Sequence, residues 1–332
     1  MNPSTSRCRG ALALALSITS AASALAQTPP SEATIAAHVA AATRAAGDDF
    51  RGLMSLCKPA PAARASAAAV DKVIAAQMAR PAPTAGRAFD NLSYVGAAWA
   101  AAWALQTSDG VILLDALNNA AEAATLIEGG MKHVGLDPAS IKTIVVSHAH
   151  GDHYGGAPYL IERYHPRVVM SERDWTMIET RLEFASPLWG APPKRDQSVN
   201  DGDRITLGDT IVTLYLTPGH TMGTLTPVFD VKDGATTHRA MLWGGTAFNF
   251  GNDVPRLQLY IEATARMARL AEEQRIDVLL SNHPDYDGTA TRLVAPRGGT
   301  HPFVIGTPGV VRALTVMGEC AQAQRDRFIL KL

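Results

Sequence analysis

The chain has 332 residues, of which 47% are hydrophobic and 18% charged, with a formal net charge of −1. That length supports one large domain or two modest ones, and the composition is that of an ordinary globular protein, which excludes disordered and fibrous classes. A near-neutral balance without charge runs leaves no electrostatic footprint for nucleic acid.

Residues 1–26 follow the three-part pattern of a secretory signal. Arg7 and Arg9 make a basic start, Gly10 to Ala24 is small and apolar without charge, and Ala24-Leu25-Ala26 supplies small residues before Gln27. Ser17, Thr19, Ser20 and Ser23 dilute the run, whereas a membrane span needs about 18 or more strongly apolar residues. Cleavage after Ala26 is therefore expected, with no membrane anchor left and a periplasmic or secreted product. The cut removes two Arg and no acid, so 30 basic residues against 31 acidic become 28 against 31, a net charge of −3.

Residues 27–87 are Ala- and Pro-rich. Ser31 to Ala46 and Ala65 to Met78 are predicted helices, joined through the connector Cys57-Lys58-Pro59-Ala60-Pro61. The segment reads as a helical extension packed on the main domain and carries no recognisable chemistry. Cys57 and Cys320 are the cysteines that survive cleavage. In an oxidising compartment a disulfide and two separate buried thiols are both open, and the bond is the expectation tested below.

Residues 88–332 follow a different grammar. Short apolar runs at Leu92–Gly96, Trp99–Gln106 and Val111–Leu114 predict strands, with Ser108-Asp109-Gly110 as the turn between the last two. Ala121–Val134 predicts a helix. Ile141–Val146 is a continuous β-branched run, the mark of a strand buried on both faces. Helix Gly156–Tyr164, strand Arg167–Met170 and a helix capped at Ser171 follow. A loop rich in Pro, Gly and charge covers Ala185–Asp203. Strands at Ile205–Leu207, Ile211–Leu216, Thr224–Val231 and Arg239–Trp243 come next. Helix Leu257–Gln274, strand Asp277–Leu280 and helix Val310–Leu330 complete the chain. The order predicts a mixed α/β sandwich with loops converging at one edge.

One such loop carries Ser147-His148-Ala149-His150-Gly151-Asp152-His153, immediately after the buried strand. Imidazole and carboxylate are the usual nitrogen and oxygen ligands of zinc. Residues two apart in a strand-to-loop segment project alike, so His148 and His150 can grip one ion, while Asp152 and His153 reach a second. Without metal, each of these groups would need its own buried partner. His220, in Pro218-Gly219-His220-Thr221, and His283, in Asn282-His283-Pro284, also follow strands and complete the set. The remaining histidines have no partners by sequence.

These segments resemble the metallo-β-lactamase superfamily, over a stretch from about Phe89 to the C-terminus. The likeness is greatest to the third, His-rich subclass of metallo-β-lactamases, through Leu113-Leu114-Asp115 and through Asp277-Val278-Leu279-Leu280 before the last histidine. The resemblance implies a four-layer αββα sandwich with two zinc ions. His148, His150 and His220 would bind the first, and Asp152, His153 and His283 the second, with Asp152 also the catalytic group that orients water. It implies a hydrolase acting on a small molecule, opening the amide bond of β-lactam antibiotics with a metal-bound hydroxide, and a monomer is expected. Thr246 and Asn249 fall where the subclass meets substrate, and Trp189 is a candidate for the mouth of the site.

Two departures matter. No Asp lies between Asp233 and Asp253, so the metal-bridging Asp of glyoxalase II, lactonases and processing nucleases is missing. Gly244-Gly245-Thr246 also replaces the Asp-Ser expected of the nearest lactamases, which keeps a lactone, thioester or other cyclic ester or amide open as substrate. A non-catalytic zinc-binding protein would be expected to have lost a ligand, and none is lost.

Overall fold

The computed structural model describes Met1 and residues 29–332, so the predicted signal segment and its cut after Ala26 otherwise lie outside the described residues. Helix α1 (Glu32–Ala46) opens the chain on a capping box in which Ser31 and Thr34 satisfy each other's backbone N–H. A 3-10 turn (Leu53–Cys57) and helix α2 (Ala67–Met78) follow. Next come strands β1 (Gly86–Phe89), β2 (Leu92–Tyr94), β3 (Trp103–Thr107) and β4 (Gly110–Leu114). Helix α3 (Ala120–Glu122) runs through a π-helical stretch (Ala123–Glu128) into α4 (Gly129–His133). The first half ends with β5 (Ile141–Val145), α5 (Gly151–Tyr154), α6 (Ala157–Tyr164), β6 (Arg167–Ser171), α7 (Glu172–Thr180) and β7 (Gln197–Val199).

The second half carries β8 (Asp203–Leu207), β9 (Thr210–Leu216), β10 (Leu225–Asp233) and β11 (Thr236–Trp243). Helix α8 (Val254–Gln274), β12 (Val278–Ser281), the short helices α9 (Pro284–Asp287) and α10 (Thr289–Val294), and the long α11 (Gly306–Leu330) complete it. No helix among the described residues is long and apolar enough to cross a membrane.

The strands form two sheets, one of seven in the order β1 to β7 and one of five in the order β12-β11-β10-β9-β8. β4 through β7 pair in parallel, as do β11 and β12. Side chains that alternate along each strand sort into layers. Val145, Leu242 and Leu280 face the space between the sheets. Ile144 and Val146 face outward under Leu160 of α6 and Trp175 of α7. On the other side, Met241, Trp243 and Leu279 meet Leu257 and Met267 of α8 and Met317 of α11. The result is the expected four-layer αββα sandwich.

The N-terminal segment belongs to that packing. Ala42, Phe50, Leu53 and Leu56 are buried in the same core as α8 and α11, and a disulfide joins Cys57 to Cys320 of α11. A Cβ on Gly52 would lie 2.2 Å from the Asp285 carbonyl oxygen, so glycine there lets the 3-10 turn rest on the loop that carries His283. Sequence and structure differ mainly at short elements. β7 forms within the predicted Ala185–Asp203 loop, where Trp175 Nε1 donates to Gln197 O at 2.9 Å. β1 begins ahead of the composition break at residue 88.

Candidate metal centre

The metal-type residues lie at the C-terminal ends of strands from both sheets. β5 delivers His148, His150, Asp152 and His153, β9 leads to His220, and β12 leads to His283. Among the described residues, His148, His150 and His220 form one group that could hold a metal ion, and Asp152, His153 and His283 form another. In each trio the candidate ligand atoms lie within 4.8 Å of one another.

In the first trio, His148 Nε2 lies 3.0 Å from His150 Nδ1 and 3.0 Å from His220 Nε2, which is 3.1 Å from His150 Nδ1. Two of the three outer nitrogens are occupied. His148 Nδ1–H donates to Gly244 O at 2.6 Å and His220 Nδ1–H to Ala247 O at 2.8 Å, while His150 Nε2 faces Glu183 Oε2 at 3.5 Å. Burial, then the neighbouring imidazoles, push the pKa of His148 and of His220 well below the ordinary histidine value, so both rings are neutral. The Nε2 lone pairs of His148 and His220 therefore converge beside His150 Nδ1, an arrangement that calls for a proton or a cation between them.

The second trio is built to hold positive charge. His153 Nδ1–H donates to Asp115 Oδ2 at 2.9 Å, and His153 Nε2 faces Asp152 Oδ2 at 3.2 Å. Burial opposes a charge on His153, yet Asp152 and Asp115 outweigh it and pull its pKa up to about 10. Burial likewise works against the Asp152 carboxylate, but His153 and His283 hold its pKa below the usual range. His283 Nδ1–H donates to Trp99 O at 2.5 Å, which turns Nε2 toward Asp152 Oδ2 at 3.6 Å. Each imidazole thus has one nitrogen fixed by an outer acceptor and the other aimed inward, the arrangement typical of histidine metal ligands.

Comparison with known proteins agrees with this geometry. Residues 100–234 match the family model of the metallo-beta-lactamase superfamily. BJP-1, a subclass B3 metallo-beta-lactamase of Bradyrhizobium japonicum, superposes with a TM-score of 0.65 at 28% identity, over 76% of this chain and 97% of that one. Residues 100–234 thus carry a metallo-β-lactamase superfamily domain. The class B3 di-zinc metallo-beta-lactamase LRA-12, from an Alaskan soil metagenome, shares the fold with a TM-score of 0.62 at 20% identity, over 74% of this chain and 96% of that one. Among curated relatives, a hydroxyacylglutathione hydrolase of Rhodopseudomonas palustris is 32% identical over 113 residues, 34% of this chain and 36% of that protein. The chain spans about a third to a half of the length of the curated relatives it matches.

The two trios open into a cavity of ≈ 700 Å³ reached by His150, Asp152, His220 and His283. Asn249 and Trp189 stand on its wall. Trp189 is locked there, its Nε1 donating to Asn118 Oδ1 at 2.9 Å. A Cβ on Gly151 would lie 2.2 Å from the Trp189 ring, so glycine inside the metal motif makes room for the indole. Thr246 is placed differently from Asn249: it is 1% exposed and borders a separate small internal cavity with Trp243 and Met317.

Three residues position the side chains of the trios, and the sequence singled out only Asp115, as the end of Leu113-Leu114-Asp115. Asp115 follows β4 and accepts from His153, from the Ser147 hydroxyl at 2.8 Å and from the Ser147 amide at 2.6 Å. Its signal was a charged residue closing an apolar strand. Glu183 is gripped by the Arg256 guanidinium at 2.5 and 2.9 Å, and Arg256 also donates to the backbone carbonyls of Gly219 and His220. Neither Glu183 nor Arg256 has a local signal, because their pairing spans 73 residues.

Proposed function

We propose that the protein is an exported dinuclear zinc hydrolase that opens the amide bond of β-lactams. The observation that carries this reading is the pair of ligand trios, one of three imidazoles and one of a carboxylate with two imidazoles, facing the same cavity. Two zinc ions fit these donors, His148, His150 and His220 for one and Asp152, His153 and His283 for the other. When bound, zinc supplies Lewis acidity that polarises a carbonyl and acidifies water.

The chain's own groups do the rest. Asp152 stays ionised and accepts the hydrogen bond of the attacking water, orienting it toward the carbonyl. Ser147 is not a nucleophile, since its hydroxyl is committed to Asp115 at 2.8 Å. Cys57 and Cys320 are bonded to each other. Asn249 is the better placed of the two predicted substrate contacts. Export through a signal cleaved after Ala26 accords with that bond, because disulfides persist in oxidising compartments.

The hydroxyacylglutathione hydrolase relatives and the Gly244-Gly245-Thr246 segment support a second reading, hydrolysis of a thioester or lactone in the same site. Against it, the segment offers no carboxylate to bridge two metals: the Gly244 carbonyl accepts from His148 Nδ1 and from Asn282 Nδ2 at 2.7 Å instead. Incubating zinc-loaded protein with a penicillin, a cephalosporin, a carbapenem, a lactone and a glutathione thioester separates the two. Ring opening of the β-lactams that stops with EDTA and ignores clavulanate-type serine inhibitors is the expected result. Intact β-lactams beside rapid thioester or lactone cleavage would replace the first reading by the second.

A further inference from the structure

The Ala- and Pro-rich segment supplies one wall of the cavity above the metal centre. In an amphipathic helix the apolar stripe ordinarily faces a core. In α2 the residues at helical spacing, Val70, Val73, Ile74 and Gln77, line the cavity instead. Within α2 only Ile74 is buried, and Val73 is 57% exposed. Asp71 and Lys72 put polar groups elsewhere on the same helix. Trp99, Phe184 and Trp189 line the same cavity.

The helix is held at both ends. Before it, the Cys57–Cys320 bond, an Asn252 N–H donated to Ala62 O at 2.8 Å and an Arg64 Nε–H donated to Phe250 O at 3.1 Å fix the strand of chain that leads in. After it, Arg80 makes a two-pronged contact with Asp285 at 2.6 and 2.8 Å, beside the loop of His283. The apolar stripe is thus fixed over the metal centre with its side chains facing an open cavity. An apolar group placed against the stripe and the aromatic rings would remove both surfaces from water, which is favourable in proportion to the area covered. A small polar group would leave them wet.

We propose that α2 is the specificity wall of this site, selecting substrates whose acyl group carries a bulky aromatic or branched aliphatic substituent. The proposal rests on the acyl-hydrolase reading above but not on the ring being a β-lactam.

The test uses matched pairs in two chemistries: a penicillin with a phenylacetylamino group against its acetylamino analogue, and a phenylacetyl thioester against an acetyl thioester. Zinc-loaded wild type should favour the bulky member by about tenfold or more in kcat/KM. In Val73→Asp that ratio should fall toward one, and Val73→Phe should preserve it. Because Val73 is exposed, neither change removes a core contact, and melting temperatures verify this. As a readout independent of turnover, N-phenylacetylglycine should bind zinc-loaded wild type more tightly than N-acetylglycine, followed by quenching of tryptophan fluorescence, and Val73→Asp should erase the difference. Equal kcat/KM within both pairs, or an undiminished ratio in Val73→Asp, overturns the proposal while leaving any lactamase activity standing. Intact penicillins with the tenfold preference kept among thioesters removes the lactamase reading and supports the wall.

Discussion

A neutral imidazole presents one lone pair to a metal only when its other nitrogen carries the proton and has somewhere to donate it. His148, His153, His220 and His283 have such acceptors within 3 Å, in Gly244 O, Asp115, Ala247 O and Trp99 O. His150 Nε2 has no acceptor that close and faces the Glu183 carboxylate at 3.5 Å, which Arg256 holds in place. Outer partners of this kind change metal affinity by roughly 10–100-fold. Glu183→Ala should therefore weaken binding at the first trio by about that factor, measured by competition with a chromophoric chelator, and Glu183→Gln should recover part of it. Affinity equal to wild type in Glu183→Ala would remove its orienting role. Asp152→Ala is expected to abolish turnover with the fold intact by circular dichroism, and retained turnover would take the water-orienting role away from Asp152. The two candidate trios were legible because four of their residues sit within six consecutive positions and the other two each follow a predicted strand. Glu183 and Arg256 were not, since a loop glutamate and a helix arginine acquire meaning only through a tertiary contact.

Among elements, the N-terminal extension shows how far composition alone misleads. Its Ala-rich helices contribute no residue to either trio, yet α1 and the 3-10 turn bury Phe50 and Leu53 against α8 and α11, and α2 lines the cavity that the trios open into. The apolar spacing of Val70, Val73 and Ile74 was present in the sequence, but spacing does not say whether a stripe meets a core or a cavity. The long strands and helices were readable from their periods. β7, α9 and α10 were not, being three, four and six residues long, too short for a period to register. The Cys57–Cys320 bond closes a separation of 263 residues. Its loss in a Cys57→Ser/Cys320→Ser variant should lower unfolding free energy by about 2–4 kcal/mol, read from urea denaturation with the slope fitted separately for each protein. Two free thiols titrated in denatured, unreduced wild-type protein would show that the bond does not form.

At the scale of the whole molecule, the centre exists because two sheets end their strands at one edge. The seven-stranded sheet contributes His148, His150, Asp152 and His153, and the five-stranded sheet contributes His220 and His283, so each trio mixes residues from both. Neither sheet alone completes a trio, which ties metal binding to correct packing of the two halves. Elemental analysis of zinc-equilibrated, gel-filtered protein tests this most directly. The account predicts about two zinc ions per chain, falling to about one in His283→Ala. Less than one zinc per wild-type chain, with hydrolysis undiminished in chelator, would contradict it.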